Sequence, residues 1–227
     1  MYTRFLEEDG EEKLLWILRK TLEHYDQTEL FELIYTACKE FVMNSTKAAI
    51  KRIVYDDLKS ESSTPETTAI LSSLKSNFFK DHFSYFKSKM KEKKIHTTID
   101  FEANVERMIV TVTNNFALLP NEETRIREKF QLAKEFDNLP EFFQKHADET
   151  EGAGLGITLI GIMMAQYGID RRYLTIFSDP KNNFTVARLE IPFSVTYRSK
   201  RSLFEETLQR ENLSREILRE RWNRLDL

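Results

Sequence analysis

"TEGAGLGITLIGIMMAQYG", Thr150 to Gly168, sets three of the chain's six glycines within five residues, directly before a long apolar segment. The glycines let the backbone turn tightly and approach a neighbour closely. The apolar segment reads as a buried helix, with Gly168 as its C-terminal cap. The amide groups of its first turn point outward with partial positive charge, the elements of a phosphate site. No strand precedes the glycines, so the pattern is not a dinucleotide fingerprint. No Gly-Lys-Ser/Thr follows, so it is not a P-loop. Alone, the turn fits a phosphate site and a plain packing turn equally well.

Upstream, apolar positions Leu30, Leu33, Ile34, Ala37, Cys38 and Phe41 follow helical spacing, predicting a helix from Glu29 to about Val54. Glu40, Asn44 and Lys47 share one face of it, at i, i+4 and i+7, beside the apolar stripe. A carboxylate, an amide and an amine in a row suit orienting a water, ligating Mg²⁺ through the amide oxygen and touching phosphate. An ordinary solvated helix rim has the same spacing.

Other elements follow from the same rules. Residues 11–22 predict a helix. "HTTIDFEANVERMIVTVTNN" alternates as a hairpin turning at "ANVE". "LPNEETRIREKFQLAKEF" predicts a proline turn and a helix, and "DNLPEFFQKHADETEG" a long irregular connection. "YLTIFS" and "FTVARLEIPF" predict strands joined by "DPKNN". "LKSESSTPETT" is a loop by composition, and Phe78, Phe79, Phe83 and Phe86 give the next helical stretch a packing face. Residues 200–227 predict one charged amphipathic helix. The expected class is α+β, a two-layer sandwich of a mixed sheet with helices on one face.

Composition narrows the functions. With 227 residues the chain can bury a core without disulfides, and a net charge of -3 offers no basic excess for nucleic acid. One cysteine, Cys38, excludes an internal disulfide and a multi-thiolate metal site. The apolar runs are shorter than a membrane span and the acidic start lacks a signal-peptide core, so a cytoplasmic protein is expected. His82, His96 and His146 lack metal-ligand spacing.

Taken in order, "EFVMNSTKA" (Glu40 to Ala48), "LPNEETRIREKF" (Leu119 to Phe130), "GAGLGITLIGIMMAQYG" and "NNFTVARLEIPF" resemble the N box, the segment opening the ATP lid, the G2 box and the last strand of histidine kinases. The chain thus resembles the Bergerat-fold ATP-binding domains shared by those kinases, anti-sigma-factor kinases, type II topoisomerases and Hsp90 chaperones, over roughly residues 28–195. The resemblance implies Mg²⁺ on Asn44, phosphates on Gly152, Gly154, Leu155 and Gly156 with support from Lys47, Glu40 as candidate base, and a lid over 131–151. At the base-binding G1 box, normally Asp-x-Gly-x-Gly, this chain reads "NNFALLP". Asn114 stands at the adenine-reading Asp, and Phe116 and Leu118 replace the two glycines, so the base pocket is narrowed or closed. His24 is followed by Tyr25 and lies too near the N box to match the family's phosphoacceptor.

The expected organisation is an N-terminal helical extension (1–27), the ATP-binding domain (28–198, with a helical insertion at about 56–94) and a C-terminal helix (199–227). Two functions stand open. One is a stand-alone signalling protein that binds Mg-ATP and phosphorylates or switches a protein partner. The other is a degenerate domain that serves as an interaction module without nucleotide. The terminal helices offer surfaces for a partner or a homodimer.

Overall fold

The computed structural model describes residues 1–59, 82–146 and 155–224. Among these residues five strands form one open sheet in the order β1-β2-β3-β5-β4. They are β1 (Tyr2–Thr3), β2 (Thr97–Ala103), β3 (Arg107–Asn114), β4 (Leu174–Asp179) and β5 (Phe184–Pro192). Every pairing is antiparallel, where a mixed sheet was expected. The reason lies in the last hairpin. Its return strand, β5, inserts beside β3, with Val110 opposite Leu189, and so runs against both neighbours.

Alternation decides the faces. Ile99, Met108, Val110, Val112, Leu174, Ile176, Leu189 and Ile191 are buried in one core on one face. Thr111, Thr113, Thr175 and Arg188 on the other face are only half-buried, and Phe177 is exposed. The core face is covered by α1 (Glu8–His24), α2 (Phe31–Lys59) and α6 (Gly156–Gln166). The result is an α+β fold, an open antiparallel sheet with α1, α2 and α6 on one face, compatible with a two-layer sandwich.

Leu14, Leu18 and Leu22 of α1 enter this same core. Lys39 pairs with Glu11 at 2.6 Å, and the Tyr35 hydroxyl donates to the same carboxylate. The N-terminus adds β1 to the sheet edge, where the Met1 amine donates to the Ile99 carbonyl at 2.6 Å. Residues 1–27 are therefore packed into the same body as the sheet.

Helix α2 runs to Lys59, past the expected end near Val54. Its second half carries α3 (Phe83–Glu92), with Phe86 and Met90 buried on Ala49, Ile50, Ile53 and Val54. Phe78 and Phe79 lie outside the described residues. The helix expected after the proline turn is α4 (Pro120–Ala133), which takes Pro120 as its own first residue.

Two expectations are corrected. The connection after α4 contains α5 (Leu139–Lys145), which was read as irregular. Asn138 caps it by accepting from the Glu141 amide at 2.9 Å, and Pro140 suits its first turn. Residues 147–151 of the expected lid lie outside the described residues, while Phe136 and Phe142 pin the rest onto Ile162 of α6. The tail is two helices, α7 (Lys200–Glu211) and α8 (Arg215–Arg224). Asn212 takes the left-handed conformation, φ 50°, and ends α7, and the Ser214 hydroxyl accepts from the Ile217 amide to start α8. Leu218 is buried, while Leu203 and Ile217 remain exposed. No helix among the described residues is long and apolar enough to cross a membrane.

Candidate functional site

The site begins on α2. Glu40, Asn44, Lys47 and Lys51 line one face, all half-buried at the edge of the core. The side chains of Asn44, Lys47 and Lys51 form no hydrogen bond or ion pair with any described residue. The first residue of α6 is pressed against this face. A Cβ on Gly156 would lie 1.8 Å from Glu40 Oε2 and 2.2 Å from its carboxyl carbon. Gly156 is thus required by a close approach, which sets the Glu40 carboxylate beside the first turn of α6. The first turn of a helix presents backbone amides and partial positive charge.

Helix α4 closes the third side. Ala133 meets α6 so closely that a Cβ on Gly161 would lie 2.8 Å from the Ala133 methyl. The Thr158 hydroxyl, buried in α6, donates to the Lys129 carbonyl at 3.3 Å. Arg125 and Lys129, one turn apart on α4, are thereby brought toward α2. Burial pushes the Lys129 ammonium below its ordinary pKa, and repulsion from Lys47, Arg125 and Lys51 adds to this, while Glu40 opposes it. Two helices and the start of a third therefore gather four cations, a carboxylate and an amide.

Of the residues singled out in the sequence, Glu40, Asn44, Lys47 and Gly156 come together. Gly152 and Gly154 lie outside the described residues. Leu155 turns its side chain to the apolar cluster of Phe136, Phe142 and Ile162. The donor set suits a magnesium ion of the kind that keeps water and takes few protein ligands: one amide oxygen, from Asn44, with phosphate oxygens supplied by a ligand. Among the described residues no group of three His, Cys, Asp or Glu forms a metal site.

The segment after β3 is built differently. Asn114 is buried, and its Oδ1 accepts at 3.5 Å from the Thr97 hydroxyl, which lies 2.5 Å from the Ser45 hydroxyl of α2. The Phe116 ring is 6% exposed and packs with Ile50, Ile53 and Phe86. The Arg52 guanidinium covers it at 4.3 Å from the ring centre. Arg52 also pairs with Glu122 at 2.7 Å and donates to the Ala117 carbonyl. Backbone groups are taken up in turn. Thr185 donates to the Phe116 carbonyl at 2.8 Å, the Ala117 amide donates to Asn183 at 3.0 Å, and the Leu118 amide donates to Ser178 at 2.8 Å. Glu122 accepts from the Leu119 amide at 3.0 Å, capping α4.

Reasoning from the sequence missed Lys51, Arg125 and Lys129. Their i, i+4 spacing with Lys47 and with each other was available, but nothing local showed that α4 faces α2. Arg52 and Glu122 stand 70 positions apart and carry no sequence signal. The four histidines do not converge here. His24 is exposed at the end of α1, His96 stacks on Tyr2, and His146 stacks on Phe142. Two surface cavities lie elsewhere. One, of about 380 Å³, lies where α1 meets the start of α2, and one of about 450 Å³ lies between α7 and α8.

Comparison with known proteins gives one distant relative. The chain is similar to an uncharacterized protein of Treponema pallidum (strain Nichols), 20% identical over 185 residues, which cover 81% of this chain and 36% of the relative. The chain thus spans about a third of that relative's length. No protein-family model matches the chain, and no solved structure matches it.

Proposed function

We propose that the protein is a histidine-kinase-like, Bergerat-type signalling domain that binds Mg-ATP through its phosphates and phosphorylates or switches a protein partner. One observation carries the reading. The Glu40–Asn44–Lys47 face of α2 is pressed against the first turn of α6 at Gly156, with Lys129 beside it. These are the segments that the N-box and G2-box resemblances pair at the phosphate end of an ATP site. The chain order of N-box helix, hairpin, lid region, G2 helix and hairpin, folded onto one sheet, supports it further.

In this reading Asn44 holds Mg²⁺, which would neutralise phosphate charge when bound. Lys47, Lys51, Arg125 and Lys129 hold the phosphate oxygens, and the α6 amides add donors. Glu40 orients the attacking hydroxyl or water. Catalysis would then rest on positioning and charge stabilisation.

A second reading, an interaction module without nucleotide, is favoured by the buried Phe116 ring under Arg52. Thermal melting with Mg-ATP separates the two, because a ligand bound only to the folded state raises the melting temperature. A rise that Asn44→Asp removes supports nucleotide binding. An unchanged melting temperature at millimolar Mg-ATP leaves only the interaction module.

A further inference from the structure

The two ends of the site differ in what they leave free. At one end Asn44, Lys47, Lys51 and Arg125 have no hydrogen-bond or ion-pair partner among the described residues, and the last three crowd Lys129 closely enough to repel its charge. Four cations sharing one corner, opposed there by Glu40, call for a polyanion. A linear triphosphate is a small ligand with enough charged oxygens to meet several cations at once. It also suits a magnesium ion shared with an amide oxygen.

At the other end nothing is offered to a base. The group that would read an exocyclic amine, Asn114 Oδ1, already accepts from Thr97, inside a Thr97–Ser45 pair. The space beside it is filled from within. Phe116 sits in the cluster of Ala49, Ile50, Ile53 and Phe86, with its outer face roofed by Arg52. The roof is itself fixed by Glu122 at 2.7 Å. The backbone from 116 to 119 is tied down by Thr185, Asn183, Ser178 and Glu122. An aromatic base would have to displace a buried ring, a part-buried ion pair and these hydrogen bonds together.

We infer that the site takes the magnesium-bound triphosphate chain and does not read the base, so that ATP, GTP and inorganic triphosphate are equivalent ligands. The inference rests on the proposed phosphate site and sharpens it. It makes Phe116 and Arg52 the residues that set specificity, by exclusion.

Calorimetric titration of the full chain with Mg²⁺ and, in turn, inorganic triphosphate, ATP, GTP and adenosine tests this. The expected dissociation constants for the first three agree within about threefold, since no hydrogen bond to the base distinguishes them. Adenosine gives no heat. Lys129→Gln and Lys47→Gln each weaken all three by about tenfold, the loss of one charge-assisted contact. ATP binding more than about tenfold tighter than both GTP and triphosphate would show that the base is read. That overturns the inference and leaves the nucleotide-binding reading standing. No binding by any of the triphosphates defeats both. Binding that persists unchanged in the Lys47→Gln/Lys129→Gln double variant places the anion elsewhere and defeats the inference. Phe116→Ala removes the excluding ring, and a preference between ATP and GTP is expected to emerge in it. A folded variant that still treats them alike counts against Phe116 as the barrier. Should the variant not fold, the wild-type series decides alone.

Discussion

Gly161→Ala probes the contact that holds α4, and with it Arg125 and Lys129, against α6. The new methyl would sit 2.8 Å from the Ala133 methyl. Carbon atoms in contact prefer about 3.5–4.0 Å, so the helices must part by roughly 0.7–1.2 Å or strain locally. Neither group is the end of a flexible side chain, and Ala133 is 2% exposed. Overpacking of this kind costs about 1–3 kcal/mol. Replacing glycine by alanine in a helix interior returns about 1 kcal/mol. The expected net effect is a loss of about 1 kcal/mol, or roughly 2–4 °C in melting temperature for a chain of this size. The decisive measurement is the same substitution in an Ala133→Gly background. There the opposing methyl is gone, only the helix-propensity gain remains, and Gly161→Ala should stabilise by about 1 kcal/mol. Urea midpoints at constant slope give both numbers. The expected result is a change of sign between backgrounds. Equal effects in the two would show that these positions do not touch and that α4 is not held over α2 in this way.

Arg52→Met removes one partner of an ion pair whose side chains are only 16% and 13% exposed, leaving Glu122 half-satisfied by the Leu119 amide. A cost on the order of 3 kcal/mol is expected in urea unfolding, and Arg52→Met/Glu122→Gln should cost less than the sum of its singles. Additive losses would count against the pairing. Lys129→Met should stabilise the ligand-free protein near neutral pH while weakening triphosphate binding, as at a site strained for function. The pH sign follows from burial and neighbouring cations, which hold the Lys129 pKa below its ordinary 10.5. Between the lowered value and 10.5 the unfolded chain binds more protons than the folded one, so this group's contribution to stability rises with pH over that window. The advantage of Lys129→Met should therefore shrink as pH rises through it. An advantage that stays constant to alkaline pH would argue against a buried, repelled ammonium.

What the sequence made legible tracks how local each cause is. Helix α6 was readable because its ends are marked by residue type. Gly156 admits Glu40, and Gly168, at φ 68°, ends the helix with the Ile169 amide returned to Met164. The α2 face was readable from period alone, and so was the hairpin of β2 and β3. The short helix that Asn138 caps was read as an irregular connection because it spans only about two turns, and the break at Asn212 was missed because charge and apolar periodicity ran on past it. The antiparallel course of β5 could not be read, since it depends on which strand of a hairpin inserts beside β3. Phe116 was visibly out of place in the sequence. Only the structure shows it roofed by Arg52, a residue the helical pattern treats as surface.

The two ends of the site are connected by how one helix turns. Lys51 and Arg52 are adjacent on α2, and one residue of helix rotates the side chain by about 100°. Lys51 therefore joins Lys47 beside Lys129, while Arg52 is carried round to Phe116 and Glu122. Helix α4 lies across both. Its first turn, through Glu122, is fastened to Arg52. Its middle supplies Arg125 and Lys129, and its last residue locks against Gly161. The packing around Phe116 thus fixes the start of the helix that carries the cations. Phe116 fills one end of the site and, through Arg52 and Glu122, gives the cations of the other end a rigid mount. Phe116 and the four-cation corner are in this sense two consequences of one packing arrangement, and a substitution that loosens the first should be felt in the affinity of the second.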